Sequence, residues 1–315
     1  PRAEDAVAGR ELFRAEACDA ILAVGGGSVM DMAKLIKCTA GSRESVEDIC
    51  RGKAPLDENG IPLLAVPTTA GSGSEATRFA IIYLQGKKHS ISHPSIRPTH
   101  AIVDPAMSAS MPPAVAAATG MDALAQAIES FWAVGSSEES RAFSVQAIPL
   151  LLENLEQAVS SPTPASREAM AVGSYLAGKA INLTVSTAPH ALSYHLTSRY
   201  GLPHGHAVAM SLGQFFSPNS GGDGVALHDP RGREYVRSMS RKLWKLLGQD
   251  SAEGCRELWY GLMRSCGLAE RLSEIGMRDE GEVDGLVASV DPERLKNNPA
   301  ALDGEALKSL LLQRF

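Results

Sequence analysis

In the stretch GMDALAQAIES, residues 120–130, an acid and an amide, Asp122 and Gln126, stand four positions apart. On an α-helix such residues lie one turn above each other, about 6 Å apart, so two oxygens face one spot. Two histidines follow downstream, His190 in APH and His204 in LPHG, each beside a proline. Proline interrupts helices, so both imidazoles belong at helix ends or bends. One carboxylate, one amide oxygen and two imidazoles form a mixed oxygen–nitrogen set suited to Fe2+, Zn2+ or a similar divalent ion. An ordinary Asp, a surface Gln and two unrelated histidines would give the same letters, and position alone does not separate the two readings.

A second chemistry is written in two glycine-rich segments. ILAVGGGSVMDMAK, residues 21–34, reads as a strand, a tight glycine turn and a helix. Three glycines remove every Cβ that would hold a phosphate off the backbone, and the N–H groups of the helix start favour an anion. Asp31 is placed by this reading in the first helical turn, where the dipole stabilises a carboxylate. PTTAGSGSE, residues 67–75, repeats the grammar after the next strand. Two such loops at one sheet edge suit a dinucleotide draped over the strand ends. Two solvent loops rich in small residues remain the alternative.

The elements that must hold these groups fall into two halves. Strand and helix signals alternate up to Pro105, with apolar strands AILAV, IPLLAVP and AIVDP, and with FAIIYL and KKHSIS around a turn. Continuous apolar strands alternating with helices predict a parallel sheet covered on both faces. From Met111 onward the patterns are helical. The spacing therefore predicts a dinucleotide-type α/β domain over residues 1–107 and an all-helical domain over 108–315.

Composition narrows the classes. The chain has 315 residues, 44% hydrophobic and 21% charged, with a net charge of −6. That suits a globular enzyme with substantial cores and argues against a nucleic-acid surface. The five cysteines, Cys18, Cys38, Cys50, Cys255 and Cys266, form no CxxC pair and read as reduced thiols of a cytoplasmic protein. No apolar run reaches the roughly 18–20 residues of a membrane span. The first residue is Pro1 rather than Met, which leads us to expect a missing N-terminal piece.

GGGSVMDMAK, PTTAGSGSEAT, IVDP, MPPAVAAATGMDALAQAIES and PHALSYHLTSRYGLPHG, in that order, resemble the iron-containing alcohol dehydrogenase family over nearly the whole chain. The resemblance implies a dinucleotide-binding α/β domain, here short of its first strand–helix segment, followed by a helical metal domain, with the active site in the cleft between them. It implies metal ligands at Asp122, Gln126, His190 and His204. Gln126 departs from the usual histidine and leaves the choice between Fe2+ and Zn2+ open. Tyr194 departs likewise, where many members carry a further histidine; His195, one residue on, is a candidate proton relay beside a ribose hydroxyl and water. The resemblance implies cofactor contacts at Gly26, Gly27, Ser28, Thr68, Thr69 and Ser72, with Asp31 and Lys88 as further candidates. The dinucleotide would be NADH or NADPH.

Within the family, FAIIYLQGKKHSISHPS, DALAQAIESFW and LAGKAINLTVSTAPHALSY are most similar to phosphonoacetaldehyde reductase-like members. That implies reduction of phosphonoacetaldehyde to 2-hydroxyethylphosphonate in phosphonate biosynthesis. A phosphonate needs cationic or backbone donors, and Lys179 is the candidate partner, with a surface lysine as the alternative reading. A homo-oligomer is expected. A dehydrogenase of another small alcohol or hydroxy acid, a dehydroquinate synthase-like lyase and a non-catalytic binding protein are the rival readings.

Overall fold

The computed structural model describes all residues except Gly86, together with the side chains of Lys87 and Lys88. Helix α1 (Ala3–Ala15) leads into strand β1 (Ile21–Gly25), helix α2 (Gly27–Thr39) and the short α3 (Val46–Cys50). Strand β2 (Leu63–Pro67), the hairpin of β3 (Phe79–Leu84) and β4 (Lys87–Ser92), and the two-residue β5 (His100–Ala101) complete this half. β1 and β5 flank β2, both parallel to it, with Ile21 opposite Leu63 and Val24 opposite Val66. A parallel pair needs a crossover, and α2 supplies its helix. β3 and β4 pair antiparallel from Phe79–Ser92 to Leu84–Lys87, as the two strands around a turn require.

Ala23, Leu63 and Ala65 pack with Met30 and Ala33 of α2 into one small core. On the alternate positions of β1, Leu22 is 65% and Val24 45% exposed. The expectation of a sheet covered on both faces therefore holds for one face, while on the other β1 is open and Val66 of β2 is buried. Asp31 is also one turn further into α2 than expected, since the helix starts at Gly27.

The second half contains α4 (Pro113–Trp132), α5 (Glu138–Ser160), α6 (Pro164–Thr184), α7 (Ala188–Tyr200), α8 (His204–Phe215), α9 (Arg233–Leu246), α10 (Ala252–Ser265), α11 (Glu280–Ala288), α12 (Pro292–Leu295) and α13 (Gly304–Leu312). An isolated bridge joins Leu227 to Ala300. PPAVAAATG and MDALAQAIESFW form one helix rather than two. α4 is buried almost all round from Ala116 to Trp132, as a helix apolar on every side must be. It runs through the main core, among α5, α6 and α8. Its alanines and Gly120 keep it slim; a Cβ on Gly120 would meet Leu155 and come within 2.9 Å of Met170. A polar face on such a central helix has no exit to solvent except into a cavity.

Candidate active site

That polar face is Asp122, Gln126 and Glu129, all buried. Asp122 and Gln126 open on a cavity of about 620 Å³, within the size range of small-molecule sites, roughly 300–1,000 Å³. His190 and His204 reach the same cavity from two helix starts. His190 lies in the first turn of α7 behind Pro189, and His204 is the first residue of α8 behind Pro203. Both prolines act at positions where their missing N–H costs nothing.

One ligand atom each from Asp122, His190 and His204 lie within 4.8 Å of one another. His190 Nε2 stands 3.4 Å from Asp122 Oδ1, and the two imidazoles cross at 71° with centroids 5.4 Å apart. Gln126 donates from Nε2 to the Ser72 carbonyl at 3.3 Å, while its Oε1 is buried with no hydrogen-bond partner. A buried acceptor of that kind is costly unless something meets it. A hard divalent cation between a carboxylate, an amide oxygen and two imidazoles meets it, so the donor set fits such an ion.

Glu129 was not among the residues expected from sequence. One of its oxygens accepts from Thr187 N (2.9 Å) and Thr187 Oγ1 (2.8 Å), closing the start of α7. The other accepts from His190 Nδ1. This leaves Nε2 as the ring atom facing Asp122, the arrangement that fixes the tautomer of metal-binding histidines. Burial alone would lower the His190 pKa, but Glu129 and Asp122 outweigh it and raise it to about 10. Two carboxylates around one imidazole create a strong preference for positive charge, which a divalent ion also satisfies.

The glycine loops form another part of the wall. Gly27, Ser28, Asp31, Thr69 and Ser72 line the cavity, while Gly26 and Thr68 sit beside it without lining it. Gly26 is the N-cap of α2, and no side chain caps that helix start. The two loops touch: a Cβ on Gly27 would lie 2.8 Å from Ser72 Oγ. Such a bare helix start walled by hydroxyls is a fit for a pyrophosphate.

Asp31 is already engaged, accepting from Ser74 Oγ (2.8 Å) and Ile81 N (3.0 Å), and burial raises its pKa. Lys34 lies wholly buried behind it. Its Nζ donates to Ser74 Oγ (2.8 Å), Thr77 Oγ1 (3.1 Å) and Phe79 O (2.7 Å), and burial lowers its pKa to about 8. These two charges thus tie α2 to the second loop. The side chain of Lys88 lies outside the described residues.

Two expectations about side-chain direction are corrected. Lys179 does not reach the cavity; its Nζ sits 4.0 Å above the Phe143 ring centroid, between α5 and α6. His195 does not line it either, and its ring packs 6.3 Å from that of Tyr200. His206 turns to the Ala269 carbonyl at 2.8 Å. The cavity is lined instead by Tyr194, Thr197 and Arg294. The Tyr194 ring stacks on His204 at 6.2 Å and 11°, and its hydroxyl accepts from Arg294 Nη1 at 2.9 Å.

Residues 1–105 match the family model described as iron-containing alcohol dehydrogenase. Residues 116–315 match the one described as the C-terminal part of the Fe-containing alcohol dehydrogenase family. The chain is 34% identical to a phosphonoacetaldehyde reductase of Streptomyces viridochromogenes, covering 100% of this chain and 81% of that one. It is 32% identical to a choline dehydrogenase of Bacillus subtilis over 95% of this chain and 74% of the other. Among solved structures, a sulfoacetaldehyde reductase from Bifidobacterium kashiwanohense, in complex with NAD+, superposes with a TM-score of 0.90. It is 29% identical, and the match covers 100% of this chain and 81% of that one.

Proposed function

The chain belongs to the iron-containing alcohol dehydrogenase family, and from that premise we propose that it reduces a small aldehyde bearing a phosphonate, with phosphonoacetaldehyde giving 2-hydroxyethylphosphonate. One observation carries the reading. Asp122, His190 and His204 gather on the same cavity that Gly27, Ser28, Thr69 and Ser72 also line. The similarity to a phosphonoacetaldehyde reductase and to a sulfoacetaldehyde reductase supports an aldehyde with an anion on the neighbouring carbon.

When bound, a divalent ion supplies Lewis acidity toward the carbonyl and a nicotinamide supplies the hydride. Asp122, His190, His204 and the Oε1 of Gln126 are the atoms that hold the ion in this reading. Glu129 orients His190 and keeps its Nε2 turned inward. Gly27, Ser28, Thr69 and Ser72 seat the dinucleotide phosphates. Tyr194, whose pKa burial raises, retains its phenolic proton on the cavity wall. Its O–H takes the place of His195 in delivering the proton that completes the alcohol.

No helix among the described residues is long and apolar enough to cross a membrane. The test is anaerobic purification with metal analysis, then measurement of NADH and NADPH oxidation with phosphonoacetaldehyde. Stoichiometric consumption of the reduced nicotinamide is expected. A metal-loaded protein that binds the dinucleotide but oxidises none of it with any aldehyde would leave the lyase reading in its place.

A further inference from the structure

We infer that Arg294 selects an aldehyde carrying a tetrahedral oxyanion, by gripping that anion at the mouth of the cavity. The inference rests on the reductase reading above and names the residue that would decide its substrate class.

Among the described side chains that line the cavity, Arg294 is the only arginine or lysine. It stands on α12, remote in sequence from every other residue of the site. It is exposed and enters none of the ion pairs formed among the described residues, and its side chain makes one hydrogen bond there, to Tyr194 Oη. The guanidinium Cζ lies 4.9 Å from the Tyr194 ring centroid, a cation–π arrangement that orients the group. Tyr194 in turn stacks on His204. The cation therefore sits one aromatic ring away from the cluster of metal-ligand atoms, and, being exposed, turns its remaining donors to solvent, where an anion's oxygens can replace water.

The segment that carries it is anchored. Asn297 donates from Nδ2 to the carbonyls of Thr184 (2.9 Å), Val185 (3.2 Å) and Ser186 (3.0 Å), and its Oδ1 accepts from Gly135 N at 2.9 Å. Val185 has φ 55°, a conformation that a β-branched residue adopts only when its surroundings impose it. Val185 and Ser186 themselves line the cavity. Asn297 thus ties the Arg294 segment to the cavity wall, so Arg294 starts from a fixed backbone and its planar fork loses little freedom on meeting an oxyanion.

A two-carbon aldehyde with a phosphonate has two handles at opposite ends. The carbonyl oxygen suits the metal-ligand cluster, and the tetrahedral anion suits a guanidinium, which holds two oxygens at once. A neutral aldehyde offers Arg294 nothing. Lys179, committed to Phe143, cannot serve in its place.

The experiment compares kcat/KM for phosphonoacetaldehyde and for propanal in the metal-loaded wild type, Arg294→Gln and Arg294→Lys. Metal content and thermal midpoint are recorded for each. In Arg294→Gln the ratio of the two kcat/KM values is expected to fall about 50-fold, the scale of one lost charge-assisted pair, chiefly through the KM for phosphonoacetaldehyde. The Ki of methylphosphonate should rise in parallel, and Arg294→Lys should recover part of the ratio, which a merely structural role would not produce. An unchanged ratio in Arg294→Gln overturns the inference while leaving the reductase reading intact. A wild type that reduces propanal at least as well as phosphonoacetaldehyde overturns the proposed substrate class and the inference with it. A metal- and dinucleotide-bound wild type that reduces neither aldehyde overturns the reductase reading itself.

Discussion

Gly205 packs against Asp122 so closely that a Cβ on residue 205 would lie 2.6 Å from the Asp122 Cβ, and nearer still to the Ala118 carbonyl oxygen. The first turn of α8 and the middle of α4 meet there backbone to backbone. His204 is the neighbour of Gly205, so this contact sets how near His204 comes to Asp122. Both offending atoms belong to a buried helix and cannot swing away. Gly205→Ala is expected to cost about 2–3 kcal/mol of stability by overpacking. Metal content at a limiting ion concentration should fall with it, read by elemental analysis beside a chemical denaturation curve. A variant with wild-type stability and metal content would contradict this account.

Glu129 offers a test of the carboxylate behind His190. Glu129→Gln preserves shape and can still accept from Thr187, but it removes the charge that holds the His190 Nδ1 proton. Metal affinity is expected to weaken about 10- to 100-fold, as for other outer partners of ligating histidines. Competition against a chelator of known affinity measures it directly. Retention of wild-type affinity would show that His190 needs no such partner.

Gln126 presents an amide oxygen among imidazoles. Gln126→His replaces it with a better nitrogen donor for Zn2+ and Fe2+, while losing the hydrogen bond to the Ser72 carbonyl. Slower loss of metal during dialysis against chelator is the expected outcome. Faster loss would mean that the tie to the second loop matters more than the donor atom.

The buried Lys34 predicts a pH dependence of stability. Its folded pKa lies near 8, below the ordinary lysine value of 10.5, because burial disfavours the charged form. Below pH 8 the group is protonated in both states, and the native state carries the full penalty, roughly 3 kcal/mol. Between pH 8 and 10.5 the unfolded chain binds more proton than the native one, so stability rises with pH and the penalty disappears. Relative to Lys34→Met, the wild type should therefore gain stability across that window in denaturant titrations. A constant difference between the two proteins from pH 7.5 to 10.5 would rule this out.

Much of the candidate site was legible because it obeys local rules. The helical period put Asp122 and Gln126 on one side, and proline chemistry put His190 and His204 at helix ends or bends, which the fold resolves as two helix starts. Glycine turns after β1 and β2 marked the second wall. The same period carried signals that sequence reading passed over. Glu129 is seven residues after Asp122, two turns along the same face. His190, Tyr194 and Thr197 follow each other at four and then three residues, whereas His195 is rotated about 100° from Tyr194 and must look elsewhere. Lys179 stands two residues from Ile181, which lines the cavity, and so points to a different side of α6.

The sequence by itself determined the order of strands and helices and the α/β-then-helical plan, because propensity and periodicity act over a few residues, and its resemblance to a family pointed to the candidate metal ligands. Only the tertiary structure decided that Arg294 meets Tyr194 across a hundred residues of chain, that Asn297 secures the turn at Val185, and that Lys179 is spent on Phe143. Those pairings depend on how whole helices rotate and cross when the core closes, and no local pattern encodes that rotation.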